Sequence, residues 1–256
     1  MFLFGQGKGT LSLAASAAIR WNEASVKGCS RAAMPDAVSK LAYQTLQQGK
    51  SLVGLAHKEL STRLGQLLAA DGGPKTVPVP PEMLNQLRAS MDRLLELDWQ
   101  EAERGVYPAS LLFDAPWLDW ATRYPLVWLD LPNIWSRRSQ RNVRDLPRDV
   151  EPENYPGYYL QNFHHQTDGY LSDHSAALYD LQVEILFNGT ADPMRRRLLA
   201  PLQRGLRAFE GRRPGQLRVL DVAAGTGRTL RQLRGALPGV QLVGLDLSAA
   251  YLREAN

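Results

Sequence analysis

Two short stretches hold the residue types that do chemistry. The first is "LDVAAGTG" (220–227), followed nineteen residues later by the acid Asp246 at the end of "PGVQLVGLD". An acid, a run of small residues and a second acid can hold a cofactor: glycines let main-chain amides approach it, and carboxylates accept its hydroxyl or charged groups. The second stretch is "NFHHQTDGYLSDHS" (162–175), which contains three of the chain's four histidines beside Asp168 and Asp173. Histidine near neutral pH suits proton transfer, so His164 and His165 are candidate catalytic bases. Metal ligation is disfavoured, because adjacent histidines point apart and Gly169 interrupts any helical i, i+4 pairing. A polar, hydrogen-bonded turn is the favoured reading of this stretch.

The elements that would position these residues follow from hydrophobic pattern. "LRVLDV" is a short apolar run fit for a buried parallel strand, and "RTLRQLRGAL" is a helix with Leu230, Leu233 and Leu237 inward. "PGVQLVGLD" gives a second strand, and Ser248 can cap a helix over "LSAAYLREAN". This β-turn-α-β-α unit, with a right-handed crossover, opens a doubly wound sheet. The spacing predicts a helix over 175–187, ended by Asn188-Gly189, and another from Asp192 as N-cap with Pro193 at its first position. Leu198, Leu199, Leu202 and Leu206 form the expected buried side of the latter.

Farther upstream, residues 34–135 read as a helical N-terminal region. One apolar stripe runs through Val38, Leu41, Leu46, Leu52, Leu55, Leu60, Leu64 and Leu67. "DGGPKTVPVPP" (71–81) breaks it, and a second helix starts near Pro81 and ends before Gly105. His57, inside the first helix, is expected at a partly exposed surface. Residues 106–135 hold four tryptophans and four prolines, which predicts short turns packed by aromatic surface. This patch either walls a substrate or ties the helices to the next domain, and the structural role is favoured. Residues 136–156 are charged and proline-punctuated, a connector, and 157–210 form a helical segment before the sheet.

Two nucleotide readings compete at the glycine turn. A dinucleotide fold requires G-x-G-x-x-G, but the third position here is Leu230. Asp221, just before the turn, gives a cofactor with two phosphates nothing; a cofactor carrying positive charge would gain from it. The combination resembles the class I S-adenosylmethionine-dependent methyltransferases, which have an acid ending strand one, a glycine loop, and a second acid ending strand two. In that family the first acid lies near the methionine ammonium and the second accepts the ribose hydroxyls. The resemblance therefore implies S-adenosyl-L-methionine as cofactor, with Asp221, Ala223, Gly225, Thr226 and Gly227 at the loop and Asp246 and Leu247 at the ribose side. Ala223 stands where the family has its first loop glycine. "LYDLQVEILFNGTADPMRRRLLAPL" (178–202) is loosely similar to the stretch preceding the loop in ubiquinone/menaquinone C-methyltransferases, and the longer layout resembles a methyltransferase group of cyanobacteria and plastids. The resemblance makes 162–175 a lid over cofactor and acceptor, where His164 or His165 would act as base. It implies a methyl acceptor that is a small molecule; the arginine clusters suggest RNA as the alternative acceptor, and a non-catalytic scaffold on a Rossmann-like fold is the other reading.

Composition sets the outer limits. With 44% hydrophobic and 22% charged residues, the chain reads as an ordinary soluble globular protein. Its strand-turn-helix pattern makes the expected fold class α/β: an N-terminal helical region followed by the beginning of a doubly wound sheet. No run reaches the roughly 18–20 apolar residues of a membrane span. The single Cys29 excludes an internal disulfide and a multi-cysteine zinc site. A cytoplasmic location is expected, or a plastid one if the Ala/Ser/Gly-rich residues 1–33 are a transit peptide; they equally suit an extension upstream of Met34. Arginines cluster at 137–148 and 195–197, which reads as a solvated basic face in preference to a nucleic-acid site. Only the first two strands of the sheet are legible, so the chain is expected to be a fragment, inactive by itself.

Overall fold

Proline and glycine punctuate the helices much as the sequence suggests, with one large exception. A computed structural model describes residues 17–21 (backbone only), 36–68 and 78–256. Helix α1 spans Ala37–Leu68, and α2 spans Pro81–Glu103, with Pro81 at its first position and Gly105 in the left-handed region just past its end. The exception is α3, Trp117–Ser139, which carries Pro125 and Pro132 inside the helix. Its prolines do not limit this region to short turns, contrary to the expectation from sequence. Each removes one helical hydrogen bond, but Trp120 and Val127 bury against Leu178, Leu181 and Ile185, and that packing keeps the helix continuous.

The chain then runs irregularly to α4 (Asp173–Leu186), whose first turn is capped by Ser172 Oγ accepting from Ser175 N at 3.0 Å. Helices α5 (Ala191–Arg196) and α6 (Leu199–Leu206) follow. Asp192 is not the expected cap, since Thr190 holds that position; its carboxylate is buried in ion pairs instead. The break between α5 and α6 leaves Leu198 56% exposed while Leu199 is buried.

Strand β2 (Arg218–Val222), helix α7 (Arg228–Ala236), strand β3 (Gln241–Asp246) and helix α8 (Ala249–Glu254) form the expected β-turn-α-β-α unit. β2 and β3 pair in parallel, with Val219 opposite Leu242. A further strand, β1 (Ala17–Trp21), pairs antiparallel with the other edge of β3 and places Ala17 opposite Asp246. It comes from the 1–33 extension, the rest of which lies outside the described residues. The sheet order β1-β3-β2 therefore puts an antiparallel strand where a doubly wound sheet has a parallel one. The described residues are mostly helical, and the small mixed sheet joins one strand from near the start of the sequence to two from near its end. No helix among the described residues is long and apolar enough to cross a membrane.

The main core joins elements from both sides of the predicted connector. Tyr43, Trp99, Leu111, Leu199, Leu230 and Leu242 belong to one buried cluster. Beneath it, Asp98 is fully buried and accepts from Arg196 Nε (2.8 Å), Arg196 Nη2 (2.7 Å), Tyr43 Oη (2.6 Å) and Tyr107 Oη (2.6 Å). Every carboxylate lone pair in so dry a place needs such a partner. The arginine run 195–197 is consequently not a solvated face: Arg195 pairs with Asp180 and Asp192, Arg196 with Asp98, and Arg197 with Glu101. Arg138, Arg141, Arg144 and Arg148 are exposed, while Arg137 is buried on Thr167 and the carbonyl of His165.

Helix α1 turns the opposite face from the expected one. Tyr43, Gln47, Gly54, His57 and Gly65 are buried, whereas Leu41, Leu52, Leu55, Leu60 and Leu67 are each more than half exposed. Gly54 explains part of this: a Cβ there would stand 3.1 Å from Asn188 Cα, so the helix approaches α4's end through its smallest residue. His57 is buried rather than partly exposed, its ring 4.6 Å from that of Trp128 and its Nδ1 3.3 Å from Tyr124 Oη. Burial, then the charge of Lys58, lowers its pKa.

Candidate functional site

The turn from β2 into α7 and the end of β3 meet at a cleft of about 560 Å3. Its floor is backbone. Ala223, Gly225 and Gly227 all lie in the left-handed region, at φ 63°, 56° and 72°. Alternating left-handed residues turn successive amides toward one point, a geometry that binds polar ligand atoms. Ala224 N donates to Leu245 O at 3.0 Å and Gly227 N to Ala224 O at 3.0 Å, which fixes the loop on the sheet. Only Ala223 has to hold its left-handed conformation with a Cβ, at a cost of roughly 1–2 kcal/mol.

Asp246 organises both sides of the cleft. Its Oδ2 accepts from Gly225 N at 2.7 Å and its Oδ1 from Ser248 N at 2.8 Å. A carboxylate has about four acceptor positions, so each oxygen keeps capacity for a ligand hydroxyl. Ser248 caps α8 by accepting from Tyr251 N at 3.1 Å, as its position in the sequence suggested. Asp221 sits on β2 opposite Gly244 and has no hydrogen-bond or ion-pair partner among the described residues. Burial pushes its carboxyl up, and the charge of Asp246 pushes in the same direction. Of the two carboxylates only Asp246 lines the cleft; Asp221 stands behind it and adds negative charge nearby.

The remaining wall is aromatic: Tyr158, Tyr159, Tyr170, Tyr179 and Tyr251. The rings of Tyr170, Tyr179 and Tyr251 contact one another edge-on, with centroids 5.2–5.8 Å apart. Tyr251 Oη is 2.9 Å from Ser175 Oγ, and Gln166 Nε2 donates to it at 3.3 Å. Burial raises the Tyr159, Tyr179 and Tyr251 hydroxyls, and Asp246 adds to the effect at Tyr159, so these phenols stay neutral. Neutral phenols offer π faces and O–H donors.

Not every residue singled out from the sequence reaches the cleft. Ala223, Gly225, Asp246 and Leu247 line it, and Asp221 does not. Thr226 turns toward α4, its Oγ1 donating to Asp180 Oδ2 at 2.8 Å, and Gly227 serves as N-cap of α7. His164 and His165 lie in a single 3-10 turn, both with left-handed backbone, and neither is among the lining residues. Their neighbour Phe163 is the one that stacks on Tyr170, at 4.9 Å. The stretch 162–175 is otherwise a hydrogen-bonded turn: Asn162 binds Asp145 at both N and O, Gln166 binds Ser175, and Ser175 Oγ donates to Gly169 O. No group of three His, Cys, Asp or Glu side chains converges on a metal-sized point among the described residues.

Sequence reasoning missed the five tyrosines. Their signal was present as Tyr158-Tyr159, Tyr170 and Tyr179 in the segment before β2, but nothing in their spacing says that they converge. The site also answers why Leu230 replaces the third glycine of a dinucleotide motif. Close packing of α7 on the sheet is provided from the strand side, where a Cβ on Gly244 would stand 2.7 Å from Leu230 Cδ1 and 3.0 Å from Ala224 Cβ. No family model, curated protein or solved structure matches the chain.

Proposed function

We propose that this cleft binds S-adenosyl-L-methionine and that the protein serves methyl transfer to a small-molecule acceptor, on a Rossmann-like unit built from β2, α7, β3 and α8. One observation carries the reading: a carboxylate with spare acceptor capacity (Asp246), a left-handed backbone cradle and a tyrosine wall share a single cleft, and an unpaired carboxylate (Asp221) lies behind it, close enough to feel the charge of Asp246. A molecule with an ammonium, a cationic centre and a ribose matches each of these in turn. When bound, that cofactor would supply a methyl group on a sulfonium, to be attacked in line by an acceptor lone pair with the sulfur departing as a neutral thioether. The chain's own contribution is placement. Asp221 attracts the ammonium, Asp246 accepts from the ribose, and the tyrosine faces shield positive charge from water while the O–H groups orient an acceptor. A proton-accepting role for His164 or His165 requires the 163–165 turn to move toward the cleft.

The test is calorimetric titration of S-adenosylmethionine and S-adenosylhomocysteine into the chain and its Asp221→Asn and Asp246→Ala variants. Asp221 makes no internal bond, so Asp221→Asn leaves the fold intact. The lost charge-assisted contact, about 1.5–3 kcal/mol, weakens binding roughly tenfold to a hundredfold. Asp246→Ala weakens it further, because the loop amide is released as well. A folded chain that binds neither ligand ends the methyltransferase reading.

A further inference from the structure

The opposite side of α4 carries a second cleft, of about 600 Å3, that the cofactor reading does not use. Glu184 lies about 140° around the helix from Tyr179. It meets Lys50 and Val53 of α1 and Trp117 and Tyr124 of α3 there. Most of the wall is aromatic or aliphatic. Its polar content is concentrated in one ion pair, Lys50 to Glu184, with both side chains more than nine-tenths buried. The Lys50 ammonium also sits 5.9 Å from the Trp117 ring centroid.

The pair is incomplete. Glu184 Oε2 is buried and has no hydrogen-bond partner among the described residues. A dry carboxylate oxygen without a donor is costly, and such groups in apolar clefts are the ones ligands satisfy. The charges narrow the chemistry. A ligand carboxylate would face Glu184, and a ligand ammonium would face Lys50. A hydroxyl can donate to Glu184 Oε2 and accept from Lys50 Nζ, and it brings no net charge into the apolar walls. We propose that the α1/α3/α4 cleft is a binding site for an apolar alcohol or phenol, held by its hydroxyl on the Lys50–Glu184 pair and by its hydrocarbon part against Trp117 and Tyr124.

The probe is 2-naphthol, titrated into the full chain and followed by tryptophan fluorescence and calorimetry, with 2-naphthoate as the charged comparator. Saturable binding of one 2-naphthol is expected, with 2-naphthoate at least tenfold weaker. Val53 is 54% exposed, so Val53→Trp fills the cleft without disturbing the core, and the 2-naphthol signal should vanish. Circular dichroism confirms folding of this variant, and its S-adenosylhomocysteine titration should match wild type, which separates this site from the first. Absence of saturable 2-naphthol binding by the folded chain overturns the proposal. So does equal binding of 2-naphthoate, or 2-naphthol binding that survives Val53→Trp.

Discussion

Replacing Asp192 with asparagine tests whether the glycine turn is held in place by buried charge. Asp192 is 3% exposed and accepts from Arg228 Nε at 3.1 Å, Arg228 Nη2 at 2.6 Å and Arg195 Nη1 at 2.9 Å. Arg228 is the first residue of α7, directly after Gly227, so this carboxylate anchors the helix that the glycine turn feeds. The Asp192→Asn side chain would keep the volume, but it would aim an amide donor at a guanidinium, leaving Arg228 with only a distant 3.9 Å carboxylate contact, to Asp114, and Arg195 with only Asp180. Breaking one side of a buried pair costs about 3–5 kcal/mol. At roughly 2–4 °C per kcal/mol for a chain of this size, the melting point falls by about 6–20 °C.

The pH dependence supplies a sharper check. Burial raises the Asp192 pKa, but the hydrogen bond and charge of Arg228, with the charges of Arg195 and Arg196, outweigh it and hold the carboxyl well below the usual range. A depressed carboxylate contributes stability that is complete above the unfolded pKa of about 3.9 and is lost as pH falls. At pH 3 the unfolded aspartate is mostly protonated while the folded one is still ionised. The stability gap between wild type and variant should therefore shrink by about 1.3 kcal/mol from pH 6 to pH 3. Urea denaturation followed by tryptophan fluorescence at several pH values measures that gap directly, and groups common to both proteins cancel. A loss under about 1 kcal/mol at neutral pH, or a gap that does not change with pH, would refute the reasoning.

Two further perturbations act on backbone alone. Ala223→Gly removes the Cβ from a left-handed residue, a relief of about 1–2 kcal/mol, against about 0.5–1 kcal/mol of added chain entropy in the unfolded state. A net gain of roughly 0.5 kcal/mol in unfolding free energy is expected, and a net loss would mean that residue 223 is not left-handed. Pro125→Ala returns an N–H to an exposed position inside α3, which should stabilise the protein by about 1–2 kcal/mol once the stiffer unfolded chain of the proline form is discounted. Destabilisation in the same melting experiment would show that α3 depends on its proline bend.

What was legible in the sequence was local. The β2-turn-α7-β3-α8 unit could be read because strand, small-residue turn and amphipathic helix each declare themselves within a few residues, and Ser248 and Pro81 behave as their positions require. Helix α1 was legible as a helix and illegible as a surface. Its leucine period is real, yet burial followed Tyr43, Gly54 and His57, which supply close approach and hydrogen bonds that a hydrophobicity count does not weigh. Helix α3 escapes a sequence reading because the rule that proline breaks helices takes no account of the burial that overrides it. The pairing of 17–21 with β3 links segments more than two hundred residues apart, and no local pattern announces such a contact.

The same distinction explains the candidate site. Each carboxylate and glycine of the cradle lies within 27 residues of sequence, so motif spacing reaches them. The tyrosine wall depends on how α4 is set against α8. That setting is fixed by bonds no motif encodes: Thr226 Oγ1 to Asp180, Ser175 to Tyr251, and Arg123 to both Ala177 O and Glu254. Helix α4 is buried on several sides, with Ala176, Leu178, Leu181, Glu184 and Ile185 all inside, which is the pattern of a central helix rather than a surface one. Tyr179 faces one cleft and Glu184 the other, five residues apart on one rigid element. Whatever seats α4 therefore shapes both clefts, and the ion pairs at its flank, half-buried Asp180 and Arg195 with buried Asp192, help to seat it.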